Sequence, residues 1–210
     1  MDLLNGKVGS LYFKYLSAAF GSALISSIYG IVDMAMVGQY QGPDGTAALA
    51  VVAPVWNVIY SIGLLMGIGG SVIFSTKRGS GMSADGEDEQ YFTAAVIGSV
   101  ILAALAWVGL ILFERPLLMF FGTDETLLAL AQRYMIPVKV VFPLFLFNQM
   151  LAAFLRNDGA PALATLGVLS GGIFNVLGDW FFVFPCDMGV YGAGLATALG
   201  SAVSFLVMLT

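Results

Sequence analysis

The chain has 210 residues, of which 59% are hydrophobic and only 10% are charged, and its formal net charge is −5. Because a soluble domain carries about 25% charged residues, this chain has too few charges to cover a globular surface, and its mean hydropathy of +0.92 places it in a lipid bilayer. It has no His and a single Cys, which argues against His-based acid–base catalysis, Cys/His zinc sites and intrachain disulfides, and it lacks the basic stripe that nucleic-acid binding requires.

Six apolar stretches are each long enough to cross a membrane, which takes about 20 mostly apolar residues. Short segments rich in Gly, Pro and charged residues separate them and are typical of turns. The predicted class is therefore an all-α integral membrane protein, a bundle of six transmembrane helices. The predicted helices cover residues 11–37, 47–76, 91–113, 127–155, 160–184 and 191–210, and the predicted connectors cover residues 38–45, 77–90, 114–125, 156–159 and 185–189.

The distribution of Lys and Arg predicts the orientation of the bundle, since cytoplasmic loops carry more of both. If the N-terminus is cytoplasmic, the outer connectors hold only Arg115. The inner segments then hold five basic residues, namely Lys7, Lys14, Lys77, Arg78 and Arg156. We therefore expect a multi-pass protein with a cytoplasmic N-terminus.

Two acidic residues lie within apolar helices, where an Asp costs about 2.5–3.5 kcal/mol on insertion scales. Asp33 is four residues before the predicted end of the first helix, and Asp179 is five residues before the predicted end of the fifth. Asn175 shares a helix face with Asp179 because it lies one turn earlier. Thr197 is six residues into the sixth helix. Two carboxylates, a carboxamide and a hydroxyl group could therefore meet in the outer half of the bundle.

Such a group of oxygen atoms suits a small, hard cation. Two carboxylates in a poorly hydrated pocket cannot both stay ionised cheaply, so the group could accept a proton or, with the Asn and Thr oxygens, hold Na⁺. The alternative is that each Asp lies close enough to the outer surface to be hydrated.

Three further polar residues in the apolar helices are candidates for lining a cavity. Lys139 is twelve residues into the predicted fourth helix, between Pro137 and Pro143. It could line a water-filled cavity, neutralise a carboxylate, or extend its ammonium group to the interface. Asn57 and Gln149 are the other two candidates.

Four short segments, in this order and spacing, resemble the N-terminal half of multidrug and toxic compound extrusion (MATE) transporters of the bacterial drug-efflux type. The segments are IVDMAMVG at 31–38, LRNDGAP at 155–161, NVLGD at 175–179 and GAGLAT at 192–197. The resemblance covers nearly the whole chain. It implies one six-helix lobe of a two-lobed, twelve-helix transporter in the bacterial plasma membrane, which exports small organic cations in exchange for H⁺ or Na⁺. It implies no enzymatic activity and no cofactor besides the coupling ion.

The resemblance also assigns roles to particular residues. It matches Asp33 to an acidic residue near the outer end of the first helix, and Asn175 and Asp179 to an Asn and an Asp one turn apart on the fifth helix. It matches Thr197 to a Thr on the sixth helix and Ala193 to a residue that offers its backbone carbonyl. In the family these groups form the cation site of the N-terminal lobe, so the resemblance points to the residues already selected by their burial and spacing.

The chain departs from the family in length, because it supplies one lobe. We expect either that it is a fragment whose C-terminal lobe is missing, which we favour, or that two copies pair.

Three other functions remain open. A lipid-linked saccharide flippase of the same superfamily would need cationic cavity residues, for which Lys139 and Arg133 are the candidates. An intramembrane aspartyl enzyme could use Asp33 and Asp179 as a dyad, although neither lies in a catalytic signature. The third is a packing module that transports nothing.

Overall fold

The computed structural model describes residues 8–80 and 87–210. These residues form six α-helices, in the number and order that the sequence predicts, and each is long and apolar enough to cross a membrane. The helices are α1 (Val8–Gln41), α2 (Pro43–Ser80), α3 (Glu87–Phe120), α4 (Glu125–Asn157), α5 (Pro161–Val183) and α6 (Gly189–Met208). Lys7 and residues 81–86, which the sequence places in inner segments, lie outside the described residues.

The first three helices are longer than predicted, so the connectors at 38–45 and 77–90 are wrong in extent. Only Gly42 separates α1 from α2. Its φ of +74° lies in the left-handed region, which glycine adopts without steric cost, and this allows the chain to reverse within one residue. The predicted 77–90 connector is helical up to Ser80 and again from Glu87.

The predicted connector at 114–125 is wrong for most of its length, because α3 continues to Phe120. The helix changes direction at Phe113, whose φ of −115° and ψ of 16° are not helical. Glu114 ends the apolar run in the sequence, but in the fold its carboxylate accepts hydrogen bonds of 2.8 and 2.9 Å from the Lys139 ammonium group of α4. The charge is therefore neutralised within the bundle and does not require a loop.

Helix α4 lies at the centre of the packing and contacts α2, α3, α5 and α6, while α5 and α6 form the most extensive helix pair. Small residues allow the α5–α6 approach. A Cβ atom on Gly171 would lie 2.6 Å from the Gly200 carbonyl oxygen, and a Cβ atom on Gly200 would lie 2.7 Å from the Gly171 carbonyl oxygen. In a membrane, where lipid is as apolar as the helices, such close packing is a main source of helix association.

Candidate functional site

The site residues predicted from the sequence come from three helices that meet inside the bundle. Asp33 of α1 is 7% exposed, Asn175 of α5 is 3% exposed and Asp179 of α5 is fully buried, while Thr197 of α6 is half-buried. The longer α1 places Asp33 eight residues, or about 12 Å, before the helix end at Gln41. The hydrated-surface alternative therefore does not describe either carboxylate.

A chain of hydrogen bonds joins these helices through a residue that the sequence analysis did not select. The Tyr134 hydroxyl group of α4 donates to Oδ2 of Asp33 at 2.9 Å and lies 3.3 Å from Oγ1 of Thr197. The Asn175 amide nitrogen donates to the same Thr197 oxygen at 3.1 Å. Since a Tyr hydroxyl carries one proton and Tyr134 gives it to Asp33, Thr197 donates to Tyr134. Every donor in this series of hydrogen bonds therefore points toward Asp33.

Four buried oxygen atoms of the site have no hydrogen-bond partner among the described residues. They are Oδ1 of Asp33, Oδ1 of Asn175 and both carboxylate oxygens of Asp179. A buried acceptor without a donor is unfavourable, and a buried, unpaired charge is more so. The two carboxyl groups also interact electrostatically, and when both are ionised they repel each other. A bound proton or cation would relieve both effects.

The donor set fits a hard monovalent cation or a proton, since the unpartnered atoms are all oxygens. Among the described residues there is no group of three or more His, Cys, Asp and Glu side chains that could hold a metal ion, and the acidic part of this site is a pair of carboxylates. Ala193 is fully buried one turn before Thr197, and the role of its carbonyl group stays a prediction.

Gly194 sets the distance between α6 and the part of α4 that carries Tyr134. A Cβ atom on Gly194 would collide with the backbone carbonyl oxygen of Tyr134 and lie 3.1 Å from Cγ of Pro137. The absence of a side chain at this position therefore lets Thr197, one turn further along α6, come within reach of the Tyr134 hydroxyl group.

A cavity of about 300 Å³ adjoins the site, and Asn175 and Thr197 form part of its wall. Aromatic side chains of α1, α2 and α4 line it near the site, with the hydroxyl groups of Tyr29 and Tyr60 2.8 Å apart. The polar residues that line the cavity further from Asn175 and Thr197 are Ser22, Asn148, Gln149, Arg156, Ser201 and Ser204. The cavity is therefore aromatic near the carboxylates and polar toward its other end.

Of the three candidate cavity residues from the sequence, Gln149 lines this cavity and the other two do not. Lys139 pairs with Glu114, and its backbone carbonyl accepts a 2.7 Å hydrogen bond from the Trp107 indole. Neutralisation of a carboxylate is thus the alternative that the structure shows for Lys139. Asn57 is exposed on α2.

A membrane-crossing helical bundle with buried carboxylates beside a cavity is typical of an integral membrane transport protein. The MatE family model matches residues 18–181, and the chain belongs to this family of MATE multidrug efflux transporters. The predicted family and fold class are thereby confirmed. The family is a class of transporters and not of enzymes.

Known relatives and solved structures agree with this assignment. The chain is 25% identical over 188 residues to the multidrug export protein MepA of Staphylococcus saprophyticus. The aligned region covers 89% of this chain and 41% of MepA. MepA of Staphylococcus aureus strain MSSA476 is 24% identical over 187 residues, with the same coverage of each chain. The chain therefore spans less than half the length of these relatives.

Two solved structures have the same fold. A MATE protein in the straight conformation superimposes with a TM-score of 0.88 at 22% identity, covering 98% of this chain and 45% of the other. The MATE multidrug transporter DinF-BH, in complex with R6G, gives a TM-score of 0.88 at 24% identity over 95% of this chain and 45% of the other.

Proposed function

We propose that the chain is the ion-coupled lobe of a secondary active multidrug efflux antiporter, which exports small organic cations across the bacterial plasma membrane in exchange for H⁺ or Na⁺. The observation that carries the proposal is the set of four unpartnered, buried oxygen atoms on Asp33, Asn175 and Asp179. These oxygen atoms can bind the coupling ion because no described residue donates a hydrogen bond to them.

Coupling requires that the ion bind one conformation of the lobe more tightly than another. The hydrogen-bond chain gives the site this property. Asp33, Tyr134 and Thr197 stand on α1, α4 and α6, so any shift of one helix changes the arrangement of the oxygen atoms around the ion. Occupation of the site would favour the packing seen here, and loss of the ion would favour a different packing.

Substrate binding would use the adjoining cavity. Its aromatic residues Tyr29, Tyr60 and Phe145 suit a flat organic molecule, and cations bind favourably over aromatic faces. Asn175 and Thr197 belong both to the cavity wall and to the ion site, which gives substrate and ion a shared boundary. The transport cleft would be completed by a C-terminal lobe or by a second copy of the chain.

Efflux measurements test the proposal. The protein is reconstituted in vesicles loaded with ethidium, and pH and Na⁺ gradients are imposed separately on the wild type, Asp179→Asn and Asp44→Asn. Asp44 is the matched control, because it is an exposed carboxylate in the first turn of α2. If two copies of the chain complete the cleft, we expect gradient-driven efflux in the wild type and the control and its loss in Asp179→Asn. Undiminished efflux in Asp179→Asn would contradict the proposal, whereas no efflux in any of the three proteins would indicate that a C-terminal lobe is needed to complete the cleft.

A further inference from the structure

The end of the cavity away from the carboxylates contains a charged side chain, Arg156, that has no ion-pair partner in the part of the chain that the structure describes. Among the described residues that line the cavity, Arg156 is the only one of the Asp, Glu, Lys and Arg type. Its Nε atom is buried and has no hydrogen-bond partner among residues 8–80 and 87–210. The ion pairs between described residues do not include Arg156 either.

Arg78, a second basic residue, differs from Arg156 in having an ion-pair partner. Arg78 lies at the same end of the bundle, is exposed, and pairs with the Asp158 carboxylate, two residues after Arg156. The one carboxylate close to Arg156 in sequence is thus engaged outside the cavity. A guanidinium group stays protonated in proteins, and a buried donor without an acceptor is unfavourable. Arg156 is half-buried, and an anionic group in the cavity would supply the acceptor that its buried Nε atom lacks among the described residues.

The length of the cavity indicates which end of a bound ligand would carry the anionic group. Along α4 the lining extends from Phe145 to Arg156, eleven residues or about 16 Å. Along α1 it extends from Tyr29 to Ala19, a similar length. The aromatic residues and Asn175 lie toward one end and the guanidinium group lies at the other, so a ligand that fills the cavity contacts aromatic rings at one end and a positive charge at the other.

We infer that Arg156 determines substrate specificity by binding an acidic group, such as a carboxylate, carried by an aromatic ligand in the cavity. The inference rests on the proposed function, and it adds an acidic group to the organic cations named there. Guanidinium and carboxylate form paired, charge-assisted hydrogen bonds of defined geometry. A ligand with the carboxylate would satisfy the guanidinium group, whereas a ligand with a neutral ester in its place would leave it unpaired.

Two xanthene dyes provide the probe pair. Rhodamine 110 carries a free benzoate, and rhodamine 123 is its methyl ester, so the dyes share the cationic ring system and differ in the acidic group. Binding is measured by fluorescence anisotropy on the purified protein in lipid nanodiscs, for the wild type, Arg156→Gln, Arg156→Lys and the control Arg78→Gln. We expect the wild type and Arg78→Gln to bind rhodamine 110 about tenfold more tightly than rhodamine 123.

Arg156→Gln should abolish this preference by weakening rhodamine 110 binding while leaving rhodamine 123 binding unchanged, and Arg156→Lys should retain part of it. A wild type that binds the two dyes equally, or does not bind rhodamine 110, overturns the inference without any variant. A preference that persists in Arg156→Gln overturns it as well. The ion-coupled function is tested separately by Asp179→Asn, so loss of ion coupling with an intact, Arg156-dependent dye preference would reject the proposed antiport alone.

Discussion

The hydroxyl group of Tyr134 donates a 2.9 Å hydrogen bond to the carboxylate of Asp33 and so joins α4 to α1 inside the bundle. Both side chains are buried, with exposed fractions of 2% and 7%. The same hydroxyl group lies 3.3 Å from Thr197 of α6, so three helices meet at one oxygen atom. The position of Asp33 in the ion site is therefore tied to the position of α4, and Tyr134 is the residue through which a movement of α4 would reach the site.

Replacing Tyr134 with Phe removes this donor and keeps the ring. The Oδ2 atom of Asp33 would then join Oδ1 as a buried acceptor without a partner, at a cost of about 1–3 kcal/mol. We expect a lower free energy of unfolding, measured by SDS titration in mixed micelles at neutral pH. Tyr12→Phe is the control, since Tyr12 is 61% exposed and should change little. Equal stability of Tyr134→Phe and the wild type would show that the hydrogen bond contributes nothing.

Replacing Gly171 with Ala tests the close contact of α5 and α6. The new Cβ atom would lie 2.6 Å from the Gly200 carbonyl oxygen and 2.8 Å from Cβ of Ser204, so the helices must separate, at a cost of about 1–3 kcal/mol. Gly69→Ala is the matched control, because a Cβ atom there meets nothing within 4 Å. The control should gain about 0.5–1 kcal/mol from better helix propensity. The two substitutions should therefore shift the unfolding midpoint in opposite directions, and a shift of the same sign would contradict the observed packing.

The pair between Lys139 and Glu114 should be costly to break from one side. Their side chains are 24% and 12% exposed, and a single loss leaves an uncompensated charge, for which we expect about 3 kcal/mol. The double variant Lys139→Met with Glu114→Gln should lie within about 1 kcal/mol of the wild type, because no unpaired charge remains. Arg115→Met is the control, since the Arg115–Glu125 pair is 57% and 71% exposed. Additive single effects in the double-mutant cycle would refute a coupled pair.

The number and order of the helices follow from the sequence because lipid imposes a minimum apolar length. The ends of the helices do not. Glu114 stops the apolar run at the point where α3 continues, since its charge is neutralised by Lys139 of α4, about 25 residues away in the chain. Partners at that separation follow from the packing of α3 on α4, and hydropathy contains no information about that packing.

The residues of the site also divide into those that the sequence predicts and those that depend on helix packing. Asp33 and Asp179 stand out because a carboxylate in an apolar helix is expensive, and helix geometry then adds Asn175. Tyr134 gives no such signal, because a tyrosine is compatible with an apolar helix. The one available indication is that a buried tyrosine hydroxyl group usually finds a hydrogen-bond partner. That expectation requires a partner but does not identify Asp33 on another helix.

The orientation of the bundle can be tested with the chain's single cysteine. Cys186 is exposed in the short turn between α5 and α6, which lies on the outer side if the N-terminus is cytoplasmic, as the Lys and Arg distribution predicts. A membrane-impermeant maleimide added to intact cells should therefore label the wild type. The control is Ser80→Cys in a Cys186→Ser background, because Ser80 ends α2 on the predicted cytoplasmic side and should react only after the cells are permeabilised. Labelling of Ser80→Cys in intact cells, with Cys186 protected, would reverse the predicted orientation and would place Arg156 at the outer end of the cavity.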